Sequence, residues 1–437
     1  MNKEIRAALL LLLVALCMSS HGREYTAGYW LERGEEFLSK ESYSVAADCF
    51  NRSIELDPSN ATAWLGRGVA LAYLGIHNDS LEAYERASEL DPGLWAAWYN
   101  RGLALAGQGR YNESLIALEM AISLESSSAD AWYSRGLVLA SLNDHSGALD
   151  ALDHALELDP ENADAWYSRA LLLAAQERYE DATESYERAL ELDPIYIQAW
   201  AGRGDALYAL GRYNDSAASY DRATAIDPSD EDAWYRKGRA LRSAGQHIKS
   251  LEAFNRSLEL DPRSAAAWNG RGLTLAALGR YNESLRSFDM AVQIDPEEAG
   301  FWYNRGLALE KLGDADGCIR AVKNATRLDP GCAVCWNKLG LCLMEEEMYG
   351  EATEAFARAI ELEPGYLDAW NNKGISLIKG GADYEDAIEC FDRAIGIDPG
   401  CKEAWVNKGN AYTLMGRRPD AEYAFSKAAE LGYTGVT

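Results

Sequence analysis

The sequence predicts an all-α chain, a solenoid of stacked helix–turn–helix pairs. Three observations predict it. Trp30, Trp64, Trp98, Trp132, Trp166, Trp200, Trp234, Trp268, Trp302, Trp336 and Trp370 recur every 34 residues, and Trp405 follows after 35. Small residues hold two further columns in the same step. A proline, usually after aspartate, closes nearly every unit. A fixed period of this size marks one supersecondary unit that cannot bury its own apolar face and must stack on its copies. Only Trp95 stands out of register.

Each unit is numbered so that its tryptophan is position 4. The first helix carries the tryptophan, a glycine at position 8 (Gly34, Gly68, Gly102, Gly136, with Ala170 the exception) and a leucine-rich position 11. These share one helical stripe. A turn follows near position 15, at Gly75, Gly109, Gly211, Gly279 and Gly313. The second helix has a small position 20 (Ala46, Ser80, Ser114, Ala148), a large apolar position 24 (Phe50, Tyr84, Phe254, Phe288) and alanine or serine at 27. Asp-Pro at 31–32 ends it, because proline cannot continue a helix and restricts the residue before it. Ser126 is the one lapse from proline. Small residues at 8 and 20 let the helices approach, and the expectation is that the tryptophan fills the gap beside them. Losing a tryptophan buried in this way would cost roughly 3–5 kcal/mol. The insertion Lys379-Gly380-Gly381-Ala382 falls in the inter-helix turn of unit eleven.

Trp, Gly, a small residue, a large apolar residue, Ala and Pro over 34 residues resemble the tetratricopeptide repeat, across about residues 27–431. The resemblance implies a right-handed superhelical solenoid whose first helices line a concave groove through positions 2, 5, 9 and 12. Two departures recur. Position 7 is Arg or Lys in every unit but one (Leu339), where the family usually has Leu. Position 11 is mostly Leu, where the family usually has Tyr.

The chain has 437 residues and a formal net charge of −27. A period this regular overrides the two or three domains that the length alone suggests. The acidity argues against nucleic acid and anionic membrane surfaces as main partners. Most of the acid reads as a solvated outer face on the second helices.

The N-terminus differs in kind. A short basic start precedes an apolar run from Ala7 to Met18, then Ser19-Ser20-His21-Gly22. This is the layout of a signal peptide over residues 1–22, too short for an ordinary spanning helix of about 20 apolar residues. An anchor through an uncleaved or lipidated N-terminus is the alternative, although Leu16 before Cys17 fits lipidation poorly. Sequons agree with export. They occur at Asn51, Asn60, Asn78, Asn112, Asn214, Asn255, Asn282 and Asn324, where chance gives roughly two. The competing explanation is that a helix start was duplicated with the repeat.

Position 7 forms a basic ladder that includes Arg33, Arg67, Arg101, Arg135, Arg169, Arg203 and Lys237. Its expected partner is the acid at position 31, ten residues earlier across the inter-repeat turn, in a salt bridge from unit to unit. A basic strip facing an acidic ligand is the alternative. Tyrosines at position 5 (Tyr99, Tyr133, Tyr167, Tyr235, Tyr303) and aliphatic residues at position 9 suggest an apolar groove for peptides or partner helices. The other reading buries them between helices. Asn100, Asn304, Asn372 and Asn407 at position 6 are similar to groups that hold peptide backbone in some family members, but are too scattered for a continuous ladder. In unit seven, Arg236, Arg239 and Arg242 share a helix face beside Tyr235, a candidate carboxylate site or a set of solvated arginines.

Cysteines cluster late. Cys332-Ala-Val-Cys335 is a candidate disulfide, and Cys318 and Cys342 read as buried small residues. Export would leave seven cysteines, hence at least one unpaired. His77, His145 and His247 replace the tyrosine of position 17 and read as packing residues, and no catalytic, cofactor or metal motif is seen.

These readings point to a non-catalytic protein-interaction scaffold on the extracytoplasmic side, secreted or in the cell envelope, that binds a partner's segment. Alternatives are a structural subunit of a surface assembly that uses its ends and a non-catalytic region of an enzyme complex. The chain continues only through a short tail, residues 432–437, after its last helix. This leaves an uncapped end for a partner or for self-association.

Overall fold

The computed structural model describes residues 25–434, so the expected signal peptide and the end of the tail lie outside the described residues. Among the described residues there are 24 α-helices and no strand, in twelve pairs. Odd-numbered helices, α1 (Ala27–Ser39) to α23 (Lys402–Leu414), are the first helices of the repeats. Even-numbered helices, α2 (Tyr43–Leu56) to α24 (Arg418–Glu430), are the second. The helices divide between two compact units, the first ending at Gly211 and the second beginning at Arg212. No described helix is long and apolar enough to cross a membrane.

Local chemistry sets the boundaries. Thr26, Asn60, Ser128, Asn162, Asp230 and Ser264 cap first helices by accepting a backbone N–H near the first turn. Position 15 is left-handed in every repeat. Glycine supplies this at Gly75, Gly109, Gly245 and Gly279, with φ from 72° to 77°, whereas Glu41, Asn143, Glu177 and Glu347 adopt it at 57–62°. Just beyond, Arg110–Glu113, Arg178–Asp181 and Arg280–Glu283 brace the start of the second helix, which places an acid near a helix N-terminus.

The notch between paired helices is filled by position 24, not by tryptophan as the sequence suggests. Phe50, Phe254, Phe288, Phe356 and Phe391 are all but completely enclosed. A Cβ added at Gly68 would lie 2.5 Å from the Tyr84 ring, and one at Gly272 would lie 2.5 Å from Phe288. The same rings lean on the next repeat, where a Cβ at Gly66 would meet Phe50 at 2.5 Å. Serine at position 20 completes the contact. Ser80, Ser114, Ser250 and Ser284 each donate to the position-8 carbonyl at 2.7–2.8 Å.

Tryptophan has a different task. Most of the indoles are half-buried, and from the second repeat onward each ladder Nε1–H donates to the carbonyl at position 32 of the preceding repeat. Trp64 reaches Pro58 at 3.0 Å, Trp166 reaches Pro160 at 3.0 Å and Trp302 reaches Pro296 at 2.8 Å. Trp132 makes the same bond to Ser126, so proline is not required for it. The ladder therefore clamps the turn between repeats. The full buried-tryptophan cost expected from sequence does not apply to half-exposed rings.

Candidate binding face

The position-7 cations are engaged within the fold, and position 31 is not their partner. Arg169 reaches Asp153 at 2.7 Å, Arg203 reaches Glu187 at 2.6 Å, Lys237 reaches Asp221 at 2.6 Å and Arg305 reaches Asp289 at 2.7 Å. All four acids are at position 25 of the preceding repeat. From the second repeat onward the position-7 cations also lie over their own repeat's indole, as with Lys237 over Trp234 at 4.2 Å and Arg67 over Trp64 at 5.4 Å, whereas Arg33 lies over Phe37. The aspartate at position 31 serves its own turn. Its Oδ1 accepts the backbone N–H two residues on, for example Asp57 from Ser59 at 3.1 Å and Asp398 from Gly400 at 2.8 Å. The Ser229 hydroxyl and N–H hold the Asp227 carboxyl below its ordinary pKa in the same way. Expecting a bridge between repeats was right in kind, and the acid was misplaced.

Two positions explain themselves by exception. Arg271 meets Asn255 at 2.8 Å and Ser287 at 2.6 Å instead of an acid, and burial lowers its pKa. Repeat ten has Leu339 at position 7, and Lys338 beside it pairs with Glu310 at 3.0 Å.

Position 6 is also structural in part. Asn304 donates to Asn269 at 2.9 Å, Asn372 to Asn337 at 3.2 Å and Asn407 to Asn371 at 2.9 Å. Each pair joins the first helices of consecutive repeats, an amide stitch that the sequence reading missed because position 5 was read only for its tyrosines. Asn100 donates to Ala96 within its own helix at 2.7 Å.

On α13 (Glu231–Ser243), Arg236 pairs with Asp232 at 2.6 Å and Arg239 lies over the Tyr235 ring at 5.8 Å. Arg242 has its Nε enclosed without a hydrogen-bond partner. The three arginines therefore have three different surroundings.

The apolar face is most open in the first unit. Leu103, Leu137 and Leu171, at position 9 of α5 (Trp95–Gly107), α7 (Ala129–Ser141) and α9 (Ala163–Ala175), are 39%, 41% and 45% exposed. In the second unit Leu273, Leu307, Leu341 and Ile375 are partly buried. Tyr99, Tyr133, Tyr167, Tyr235 and Tyr303 are half-buried, and burial raises the phenol pKa of Tyr99, Tyr167 and Tyr303. A cleft of about 490 Å³ opens between α3 (Ala61–Tyr73) and α5, lined by Val69, Tyr73, His77, Asn100 and Leu103. His77 is exposed there, contrary to a packing role. A smaller cleft of about 250 Å³ repeats the arrangement at Leu273, Tyr281, Asn304 and Leu307.

The sequons sit in helical, hydrogen-bonded sequence. Asn78, Asn112 and Asn282 face solvent, but their partner hydroxyls Ser80, Ser114 and Ser284 are buried on position-8 carbonyls. Asn214 accepts from Gln246 at 2.7 Å, Asn60 is a helix cap and Asn324 donates to Arg320. Ser53 and Ser257, the hydroxyls after Asn51 and Asn255, bond Ala27 and Glu231. The repeat itself therefore accounts for most of these serines.

Cys332 and Cys335 form a disulfide, and so do Cys318 and Cys342, which the sequence reading took for small core residues. Cys49, Cys390 and Cys401 are free and buried. Among the described residues no group of three or more His, Cys, Asp or Glu could hold a metal ion.

Antiparallel helix pairs, stacked through recurring notches and turns, define a helical-repeat protein. The chain belongs to the tetratricopeptide repeat family, with overlapping matches from 31–94 through 278–331, then 333–366 and 379–432. No curated protein matches it. Among solved structures it is similar to YrrB, described as a TPR protein with an unusual peptide-binding site, at 27% identity and TM-score 0.39, covering 43% of this chain and 96% of that one. MamA matches at 27% identity and TM-score 0.35, covering 37% and 93%. Yeast Tom70 matches at 16% identity and TM-score 0.40, covering 93% and 92%.

Proposed function

We propose that the protein is a non-catalytic interaction scaffold on the extracytoplasmic side, and that it grips a partner's peptide or helix along the first-helix face of its first unit. The row Leu103, Leu137, Leu171 carries this reading. Three large apolar side chains stand exposed at one register position in consecutive repeats, while the cations that would compete for that face are held by position-25 acids and indoles. Isolated exposed leucines need no explanation, but a regular row beside a cleft does. It suits a segment that places apolar anchors at a matching spacing. The export reading rests on the apolar run at Ala7–Met18 alone, since the repeat accounts for most of the sequon serines.

Peptide display against the full chain tests the binding site. Selected peptides should carry repeated apolar anchors and should lose binding to the triple variant Leu103→Asp, Leu137→Asp, Leu171→Asp, whose helical content stays unchanged. Peptides that bind the variant as tightly as the parent would remove the reading. For location, N-terminal sequencing of protein from its native host should find a start near residue 23, and an intact Met1 in the cytosol contradicts it.

A further inference from the structure

We infer that Cys332–Cys335 is a redox-exchanging disulfide, which takes two electrons from a dithiol on a partner protein or peptide and returns them in the reverse reaction. The argument starts from its position. The pair closes the first turn of α19 (Ala333–Glu345), with Cys332 as N-cap and Cys335 within the first turn. Cys332 Sγ accepts the Cys335 backbone N–H at 3.1 Å. A sulfur placed there meets the unpaired N–H groups and positive end of the helix, which stabilise a thiolate and make it a good leaving group.

The two sulfurs differ in access. Cys332 is partly exposed beside the exposed Gly331 and Val334, whereas Cys335 is 4% exposed. One sulfur is open to attack and the other is sheltered. The second disulfide provides the contrast. Cys318 and Cys342 join α18 (Ala315–Leu328) to α19 at 0% exposure, packed with Leu309, Val322 and Phe356, so no thiolate reaches them without unfolding.

The exchange balances as follows. A partner thiolate attacks Cys332 Sγ, the Cys332–Cys335 bond breaks, and the electron pair leaves on Cys335, which takes a proton from water. The partner's second thiolate then attacks its own sulfur in the mixed disulfide. That bond breaks and Cys332 departs as a thiolate at the helix N-terminus. The partner is oxidised to a disulfide and the chain is reduced to a dithiol.

The test uses the full chain equilibrated with graded dithiothreitol or glutathione buffers, then blocked with a maleimide and mapped by peptide mass spectrometry. Cys332 and Cys335 should open together while Cys318–Cys342 stays closed and helical content holds. Brief alkylation at neutral pH should label Cys332 roughly tenfold faster than Cys335. Background is low, because burial pushes the Cys49 and Cys390 thiols up to about 11. In glutathione disulfide, Cys335→Ser should retain glutathione on residue 332, and Cys332→Ser should retain none on residue 335. The inference is overturned if the pair opens only together with Cys318–Cys342 or on unfolding, or if both sulfurs label at the same rate. It is equally overturned if neither single variant holds glutathione. None of these outcomes bears on peptide binding by the first unit.

Discussion

One carbon atom limits how closely the two helices of a repeat approach. At Gly272 a methyl group would stand 2.5 Å from a carbon of Phe288, a ring that is 1% exposed and has nowhere to move. Alanine ordinarily gains about 0.5–1 kcal/mol over glycine inside a helix. Overpacking costs about 1–3 kcal/mol, so the clash wins. Gly272→Ala is expected to destabilise the second unit by about 1–2 kcal/mol, read by urea unfolding. The opposite holds at position 15. Glu177 has φ 60°, a region that costs a side chain about 1–2 kcal/mol, and eight other repeats place glycine there. Glu177→Gly should therefore stabilise by about 0.5–1 kcal/mol, after allowing for glycine's greater freedom when unfolded. A thermal melt that moves downward would contradict this.

Between elements, one cation does several jobs. Arg169 bridges to Asp153 on the preceding second helix, stacks over Trp166 and donates to Ser185 at 2.6 Å. Its side chain is 24% exposed and that of Asp153 is 51% exposed, so solvent discounts the ion pair to less than about 1 kcal/mol. The stacking adds a similar amount. Arg169→Met should cost about 1–2 kcal/mol, with the gap narrowing in high salt as the ionic share is screened. A double-mutant cycle with Asp153→Asn separates the two contributions. Such joints were only half legible in the sequence. The columns at positions 4, 8, 15, 24 and 32 showed where helices start, stop and touch, because those needs are local. The partner of position 7 was not visible, since which acid lies opposite depends on how one second helix crosses the next first helix. The Cys318–Cys342 link was hidden for a related reason: position 20 admits any small residue, and only the packing shows that two of them meet. The Asn304–Asn269 stitch likewise joins two columns that were read separately.

At the scale of the molecule, the repeats inside each compact unit pack on their neighbours in sequence, and the two units, each taken by itself, use the same joints. Stability is then close to a sum of repeats and interfaces. Removing residues 129–162, one complete repeat inside the first unit, should join Glu125-Ser126-Ser127-Ser128 to Ala163 with every contact type preserved. The shortened chain should keep its helical content per residue by circular dichroism. Removing 129–145 instead leaves an unpaired second helix, and that chain should lose helix or aggregate. Equal behaviour of the two deletions would contradict a repeat-by-repeat account. The candidate face scales with this architecture too, since deleting the repeat removes Leu137 and brings Leu103 and Leu171 onto adjacent rungs.

The indole clamp on position 32 has a spectroscopic consequence. From Trp64 onward, each ring of the 34-residue ladder is hydrogen-bonded to one particular joint, so its emission reports the wetting of that joint alone. A set of variants that keeps one tryptophan and replaces the others with phenylalanine would turn the chain into a row of local thermometers. Reading them in order during heating would reveal from which repeat melting begins and in which direction it travels.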